Sequence, residues 1–303
     1  MLITQQNLDL VFRGFKTLYR ESFEQAPVHF DKVAMTVPST SRDETYGWIG
    51  QFPTLREWIG PRHVQNLSAS STIRNRKFES TVEVDRDDIS DDKLGLFKPV
   101  FQEMGLVARQ HPDQLVSQLL AAGFAANCYD GQFFFDTDHP VLNALGQVVS
   151  VSNAQAAPDP LNPGPAWFLL DTSRAIRPII WQEREGYEFQ ALDKPNEDIV
   201  FMTDKYLYGV RARVNAGFGF WQMAFGSRAP LTADNYAAAR AAMMDFRGDG
   251  GRPLGIVPNL LVIPPVLEAS ARRLLNAATG SGGESNPWKD TAELVMTPYV
   301  RAF

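Results

Sequence analysis

Between Thr4 and Gln25 the apolar residues Leu8, Val11, Phe12, Phe15, Leu18, Tyr19 and Phe23 recur at helical spacing, which predicts one helix with a single apolar face. Thr4 is placed to cap its start and Pro27 to stop it. The polar face carries Arg13, Lys16 and Arg20, the mark of a helix that lies on a membrane. Asp9, Glu21 and Glu24 dilute that charge, so docking on the protein's own core or on a neighbouring subunit is the better reading.

Residues 27–45 are polar and turn-rich, and then the pattern changes. The stretch "YGWIGQFPTLREWIGPRHVQNLSASSTIRNRKFESTVEV", Tyr46 to Val84, holds hardly a segment that could wind into a helix. It is too long for an ordinary loop and too rich in Trp, Phe and Ile for disorder. Its end alternates, with Phe78, Ser80, Val82 and Val84 on one face and Glu79, Thr81 and Glu83 on the other, which is strand period. "SASS" at 68–71 is expected at the tip of a β-hairpin.

From about Leu94 to Phe124 the period is helical again, and Phe97, Val100, Phe101, Met104, Val107, Leu115 and Leu119 would share a face. Pro112 removes a backbone donor, so a kink or restart is expected there. "YDGQFFF" reads as a turn into a short strand, and residues 153–165 as a Pro-rich loop. "AWFLL", "AIRPIIWQ", "DIVFM" and "YLYGVRARV" have strand composition, the last with Tyr206, Tyr208, Val210, Ala212 and Val214 on one side and Arg211 and Arg213 on the other. A two-faced antiparallel sheet follows. Beyond Leu231 come an Ala-rich helix capped by Thr232, the buried strand "NLLVIPP", the helix "VLEASARRLLNA" and the closing strand "AELVMTPYV". The whole is an α+β pattern whose last part looks like a subdomain.

Composition narrows the function. The chain has 303 residues, 44% hydrophobic and 21% charged, with a formal net charge of −6. An acidic total argues against a protein whose main task is gripping nucleic acid. A single cysteine, Cys128, excludes an internal disulfide framework and fits a reducing compartment. No apolar run reaches membrane-span length, and "MLITQQNLDL" lacks a secretory pattern, so a soluble cytoplasmic product is expected. Charge is also segregated: Arg56 to Lys77 holds five basic residues and one acidic, Glu79 to Asp92 seven acidic and one basic.

Catalytic signatures are missing. Neither "RGDGGRPLG" nor "GSGGES" carries the Lys-Ser/Thr pair of a phosphate loop, and one Cys excludes four-cysteine zinc knuckles. "FDTDHP" clusters Asp136, Asp138 and His139, a set that can hold a divalent metal, although turn chemistry at a strand end accounts for it more simply. Cys128 with His139 would make a nucleophile and base, but Cys128 reads better as a small buried residue. "DRDDISDD" at 85–92 has calcium-loop composition without the required Gly, and a helix N-terminus drawing acidic residues explains it. No catalytic, cofactor or metal residue is therefore assigned. A long aromatic arm, segregated charge and no active site are the ingredients of a protein that contacts copies of itself.

The segments "FPTLREWIGPR", "DDISDDKLG", "CYDGQFFFDTDHP", "LLDTSRAIRPIIWQ", "YGVRARVNAGFGFWQMA", "LVIPPVLEASARRLL" and "NPWKDTAELVMTPYV" carry a specific likeness. Through them the chain resembles the major head protein of Mu-like bacteriophages, the T protein family, over nearly its full length. The resemblance implies the α+β Hong Kong 97-type capsid fold: an N-terminal arm (1–45), an extended β-hairpin loop (46–86), a peripheral domain with a spine helix and sheet (87–228) and an axial domain (229–303). The axial segment here follows the β-block rather than preceding it, which implies a permuted order of the same parts.

It further implies a non-enzymatic major capsid protein, without cofactor, that self-assembles into the icosahedral head of a tailed phage around double-stranded DNA. The implied partners are copies of itself in pentamers and hexamers, a scaffold and maturation protease, the portal, decoration proteins and the enclosed DNA, with no membrane. The implied location is the virion capsid, assembled in the bacterial cytoplasm. In such a shell the extended loop would lie on a neighbour, with Trp48, Phe52 and Trp58 as anchors and Arg56, Arg62, Arg74, Arg76 and Lys77 as the cationic face. Glu79, Glu83, Asp85, Asp87, Asp88, Asp91 and Asp92 would form the acidic counter-surface of the next copy. An encapsulin-like nanocompartment and a metal-dependent enzyme using Asp136, Asp138 and His139 are the alternatives.

Overall fold

The computed structural model describes residues 2–50, 52, 70–194, 197–280 and 283–300. Its helices are α1 (Gln5–Gln25), α2 (Phe30–Val33), α3 (Arg86–Ser90), α4 (Lys98–Ala122), α5 (Asp198–Thr203), α6 (Ala233–Met244) and α7 (Glu268–Leu275). The Thr4 hydroxyl accepts from the Asn7 amide at 3.3 Å and closes the first turn of α1. The stripe Leu8, Val11, Phe15 and Tyr19 is buried within the same subunit, where Phe15 stacks on Phe101 of α4 at 4.1 Å. Gly105 permits the close crossing, since a Cβ there would stand 2.2 Å from the Tyr19 carbonyl oxygen.

Pro112 sits inside α4 without dividing it, so of the kink or restart that its missing donor predicts, the restart does not occur. Tertiary packing holds the turn together. Asp113 is buried beside it and accepts from the His29 and Phe30 amides at 2.8 and 2.5 Å, which ties α2 to the helix at that point. Val100 and Val107, expected on the inward face, stand 40% and 53% exposed instead.

Four strands, β1 (Ala34–Pro38), β9 (Ile179–Leu192), β10 (Lys205–Phe218) and β4 (Arg76–Asp85), form a sheet in that order. β1 runs parallel to β9, and β10 is antiparallel to both β9 and β4. As the alternation predicts, Tyr206, Tyr208, Val210, Ala212 and Val214 are buried, while Arg211 and Arg213 both reach Glu185 of β9. This sheet packs beneath α1 and α4 around Phe101, Phe189 and Tyr208. "DIVFM" is not a strand: it forms α5 in the reversal between β9 and β10, closed by Asp204 in the left-handed region at φ 56°. A chain that must turn back between antiparallel neighbours cannot continue extended, whatever its composition.

The second sheet has five strands in the order β13 (Glu293–Met296), β12 (Leu260–Ile263), β8 (Trp167–Leu170), β11 (Ala224–Ser227) and β7 (Ala154–Gln155). Helices α6 and α7 belong to its core, which also takes in Phe134, Phe135 and Trp221. A boundary at 228/229 runs through this sheet, because β7, β8 and β11 precede it and β12 and β13 follow it. Two hairpins complete the fold, β2 (Asp43–Tyr46) with β3 (Ser71–Arg74) and β5 (His139–Leu142) with β6 (Val148–Val151). "YDGQFFF" makes a turn and one isolated bridge, Asn127 to Phe133, rather than a strand.

Candidate assembly interface

The hairpin β2–β3 is the root of the extended segment that the sequence singles out, and β3 leads directly into β4. A buried polar chain fixes that root. The Tyr46 hydroxyl donates to Gln182 Oε1 at 2.7 Å, and Gln182 Nε2 donates to the Ile73 carbonyl and to Asn75 Oδ1 at 3.2 and 2.8 Å. Asn75 Nδ2 then donates to Ser39 Oγ and the Ser41 carbonyl. Glu44 accepts from the Ser41 and Thr40 amides and the Ser39 hydroxyl, which together lower its pKa to about 2. Around the chain Tyr46, Ile49, Ile73 and Ile180 form an apolar cluster. Gly217 leaves room for it: a Cβ there would meet Ile73 Cδ1 at 2.2 Å.

Past Tyr46 the chain turns through Gly50 at φ +92°, where a Cβ would strike the Tyr129 ring at 2.5 Å. Only glycine meets both demands. Trp48 stacks on Phe220 with centroids 6.0 Å apart yet stays 37% exposed, and Phe52 lies 4.9 Å from the same ring. Two of the three proposed anchors therefore rest partly on their own subunit. Arg56, Trp58 and Arg62 lie outside the described residues. Of the remaining cations, Arg74 faces Asp43 at 3.7 Å, the Arg76 guanidinium covers Phe78 at 5.0 Å, and Lys77 meets no acidic group among the described residues.

Much of the acidic stretch is engaged within the subunit. Glu83 pairs with Lys205, and Lys93 bridges Asp88 and Asp91 at 3.1 and 3.3 Å. Asp85 accepts from the Asp87 amide and caps α3, with Asp87 and Asp88 in the first turn, as the helix-start reading of "DRDDISDD" predicts. Glu79 accepts from Thr81, and Asp92 adopts φ 61°. Sequence reading overlooked the surface beside Glu79. An apolar groove of about 630 Å3 runs between β4, β10 and α4, walled by Phe78, Val82, Val100, Val107 and Val210 and edged by Glu79 and Glu103. Only the misassigned faces of Val100 and Val107 hid it. At its floor His111 Nδ1 lies 2.6 Å from the Tyr187 hydroxyl, and burial with the nearby Arg76 charge lowers the His111 pKa to about 4.

The "FDTDHP" cluster does not converge. Asp136 accepts from the Phe133 and Thr137 amides, and Asp138 is exposed. His139 is fully buried and turns instead to Asp130, with Nδ1 2.7 Å from Oδ2. Cys128 donates to the other oxygen of Asp130 at 3.1 Å. Burial, then the hydrogen bond to Asp130, push the thiol well above its ordinary range. Against the opposing effect of burial, hydrogen bonds from His139 and Cys128 lower the Asp130 carboxyl. Sequence spacing brought Cys128 and His139 into view as a pair, but the carboxylate between them went unassigned.

The profile described as "Mu-like prophage major head subunit gpT" matches residues 8–300. The major capsid protein of Escherichia phage Mu is 41% identical over 307 residues, spanning 99% of this chain and 100% of that one. A subunit of the procapsid of bacteriophage JBD30 superposes with a TM-score of 0.86 at 45% identity, covering 98% of this chain and 100% of the other. In the JBD30 capsid the corresponding values are 0.78 and 34%, with 91% and 92% covered.

Proposed function

This chain belongs to the Mu-like prophage major head subunit family, and from that premise we propose how its extended loop helps to build the shell. It is a major capsid protein of a Mu-like phage, a virion component on the Hong Kong 97-type α+β fold, and it self-assembles into a capsid lattice. Full-length identity to phage head proteins favours the phage head over a nanocompartment or a metal-dependent enzyme. Its role is mechanical rather than catalytic, in pentamers and hexamers built with a scaffold, a maturation protease, a portal and decoration proteins around double-stranded DNA.

In this reading the segment between β2 and β3 is the arm that the neighbour's groove beside Glu79 receives, while β3 and β4, which the expected loop of 46–86 included, stay paired within their own subunit. The observation that supports this is the arm's root. Tyr46, Gln182, Asn75 and Glu44 are chained, through Ser39, by hydrogen bonds that specify one orientation of β2–β3, the two strands that flank the segment. Apolar walls suit Trp58, and the rim carboxylates of Glu79 and Glu103 suit Arg56 and Arg62. At roughly 25 cal/mol per Å2, a few buried aromatics contribute several kcal/mol per contact before association costs. Each contact can be weak because a closed heterologous lattice repeats it many times.

The test is assembly of the Arg56→Ala/Trp58→Ala double variant, followed by light scattering and negative-stain microscopy. Wild-type shells or capsomer rings and a folded, unassembled variant are expected. Unchanged assembly and unchanged subunit stability would sink the arm-anchor reading.

A further inference from the structure

We propose that Cys128, Asp130 and His139 form a binding site for one thiophilic divalent cation of the zinc class. The ligand atoms of these three residues lie within 4.8 Å of one another, on the turn after α4 and the first residue of β5. None of them lines the groove.

Asn153 sets the donors and acceptors around His139. Its Nδ2 lies within hydrogen-bond reach of the carbonyl oxygens of Phe134, Trp221 and Ala224, and its Oδ1 accepts from the Asp136 amide at 2.9 Å. The amide can point only one way, because the reverse would set oxygen against three carbonyls. His139 Nε2, 3.1 Å from Asn153 Oδ1, must then carry hydrogen and donate. That leaves Nδ1 facing the Asp130 carboxylate, an imidazole lone pair against a carboxylate oxygen. Two acceptors cannot share a buried gap of 2.7 Å without a positive bridge, which is either a proton or a metal ion.

The third donor favours the metal. Cys128 Sγ stands beside the same carboxylate, and thiolate, imidazole and carboxylate are the ordinary ligands of zinc. With bonds of about 2.0 Å to nitrogen and oxygen and about 2.3 Å to sulfur, a tetrahedral ion would hold the donor atoms within about 4 Å of one another. Only small side-chain shifts separate that geometry from this one. A hydrogen bond from the far nitrogen of His139 to Asn153 is the arrangement that orients metal-bound imidazoles. Trp221, stacked on the His139 ring at 4.0 Å and 10°, blocks its rotation. Charge closes as well: a thiolate, a carboxylate and a neutral imidazole give a divalent ion a neutral site, which burial tolerates. Binding releases the Cys128 thiol proton and the proton that otherwise bridges Asp130 and His139.

Such an ion would staple the 128–139 turn to the larger core through Asn153 and Trp221. Because Cys128 is the only cysteine in the chain, its thiol reports on the site without ambiguity. The experiment is zinc and cobalt titration of the full-length subunit, with metal content by mass spectrometry, cobalt–thiolate absorption, and the rate of Cys128 alkylation with and without zinc. One metal per chain is expected, with a cobalt charge-transfer band and alkylation slowed at least tenfold by zinc and restored by chelator. Cys128→Ser and Asp130→Asn should abolish the band. Absence of uptake, or alkylation unaffected by zinc in the wild-type chain, overturns the proposal and leaves a proton as the bridge. The alkylation arm needs no variant, so a misfolded substitution does not spare it.

Discussion

Along β4 burial alternates, with Val84 buried, Phe78 and Val82 half-buried and their neighbours exposed, whereas every residue of β8 and β12 is buried. The four-stranded sheet is covered by α1 and α4 on one side, and on the other the β2–β3 hairpin packs on Ile180 and Gln182 while the rest of that face is exposed among the described residues; the central strands of the five-stranded sheet are enclosed on both. The difference divides labour. A sheet enclosed on both faces contributes stability and has little surface to offer a partner, while a sheet with one partly exposed face has surface to spare.

That contrast can be broken first at the enclosed sheet. Phe168→Ala empties a fully buried site packed against Phe124 and Phe135, and should cost about 4 kcal/mol of subunit stability by chemical denaturation. Next comes the arm's root. Gln182→Leu strands the Tyr46 hydroxyl and the Ile73 carbonyl, a loss of about 2 kcal/mol. Its larger effect should fall on assembly, so denaturation and light scattering should rank Phe168→Ala and Gln182→Leu in opposite order.

A pH experiment sharpens the comparison further. His111 has a folded-state pKa of about 4 against an ordinary 6.5, so its neutral form is favoured on folding. The associated stability is whole above about pH 6.5 and drains away as pH falls toward about 4. His111→Gln should flatten that part of the stability profile by on the order of 1 kcal/mol, whereas no such change is expected from Phe168→Ala. The smallest effect belongs to the exposed face: Lys205→Ala removes a solvent-screened pair with Glu83 and should leave the denaturation midpoint nearly unchanged, the more so in high salt.

The alternation of β10, the stripe of α1 and the cap at Thr232 were legible because each depends on neighbours a few residues away. Three features were not. Pro112 stays helical because buried Asp113 binds α2, a contact 83 residues distant. "DIVFM" forms α5 because strand pairing on either side demands a reversal. The sheet that spans the expected boundary at 228/229 is assembled from both ends of the chain's second half. At the polar cluster adjacency misled. Asp138 precedes His139 in extended chain and so points away from it, while the turn at Asp130-Gly131 folds a carboxylate back from nine residues earlier. The arm's aromatic and cationic character was plain in the sequence; its polar root was not, because Gln182 lies 136 residues from Tyr46.

One feature of the topology bears on mechanics. The polypeptide leaves the five-stranded sheet at Leu170, runs out along β9, returns along β10 and re-enters that sheet at Ala224. The outgoing and incoming strands are joined where they cross, by pairing of Ile179 with Phe218 and by the Asp171 amide donating to the Met223 carbonyl at 2.9 Å. The long hairpin is thus a cantilever clamped at its base by two covalent straps. A pull that separates the two sheets is carried in tension by main-chain bonds, while a sideways push meets the softer bending stiffness of a paired ribbon and the apolar packing around Ile179, Trp181 and Phe218 at its base. Such a joint resists stretching far better than pivoting, so when a shell of these subunits changes shape, the sheets should swing about the straps and not draw apart.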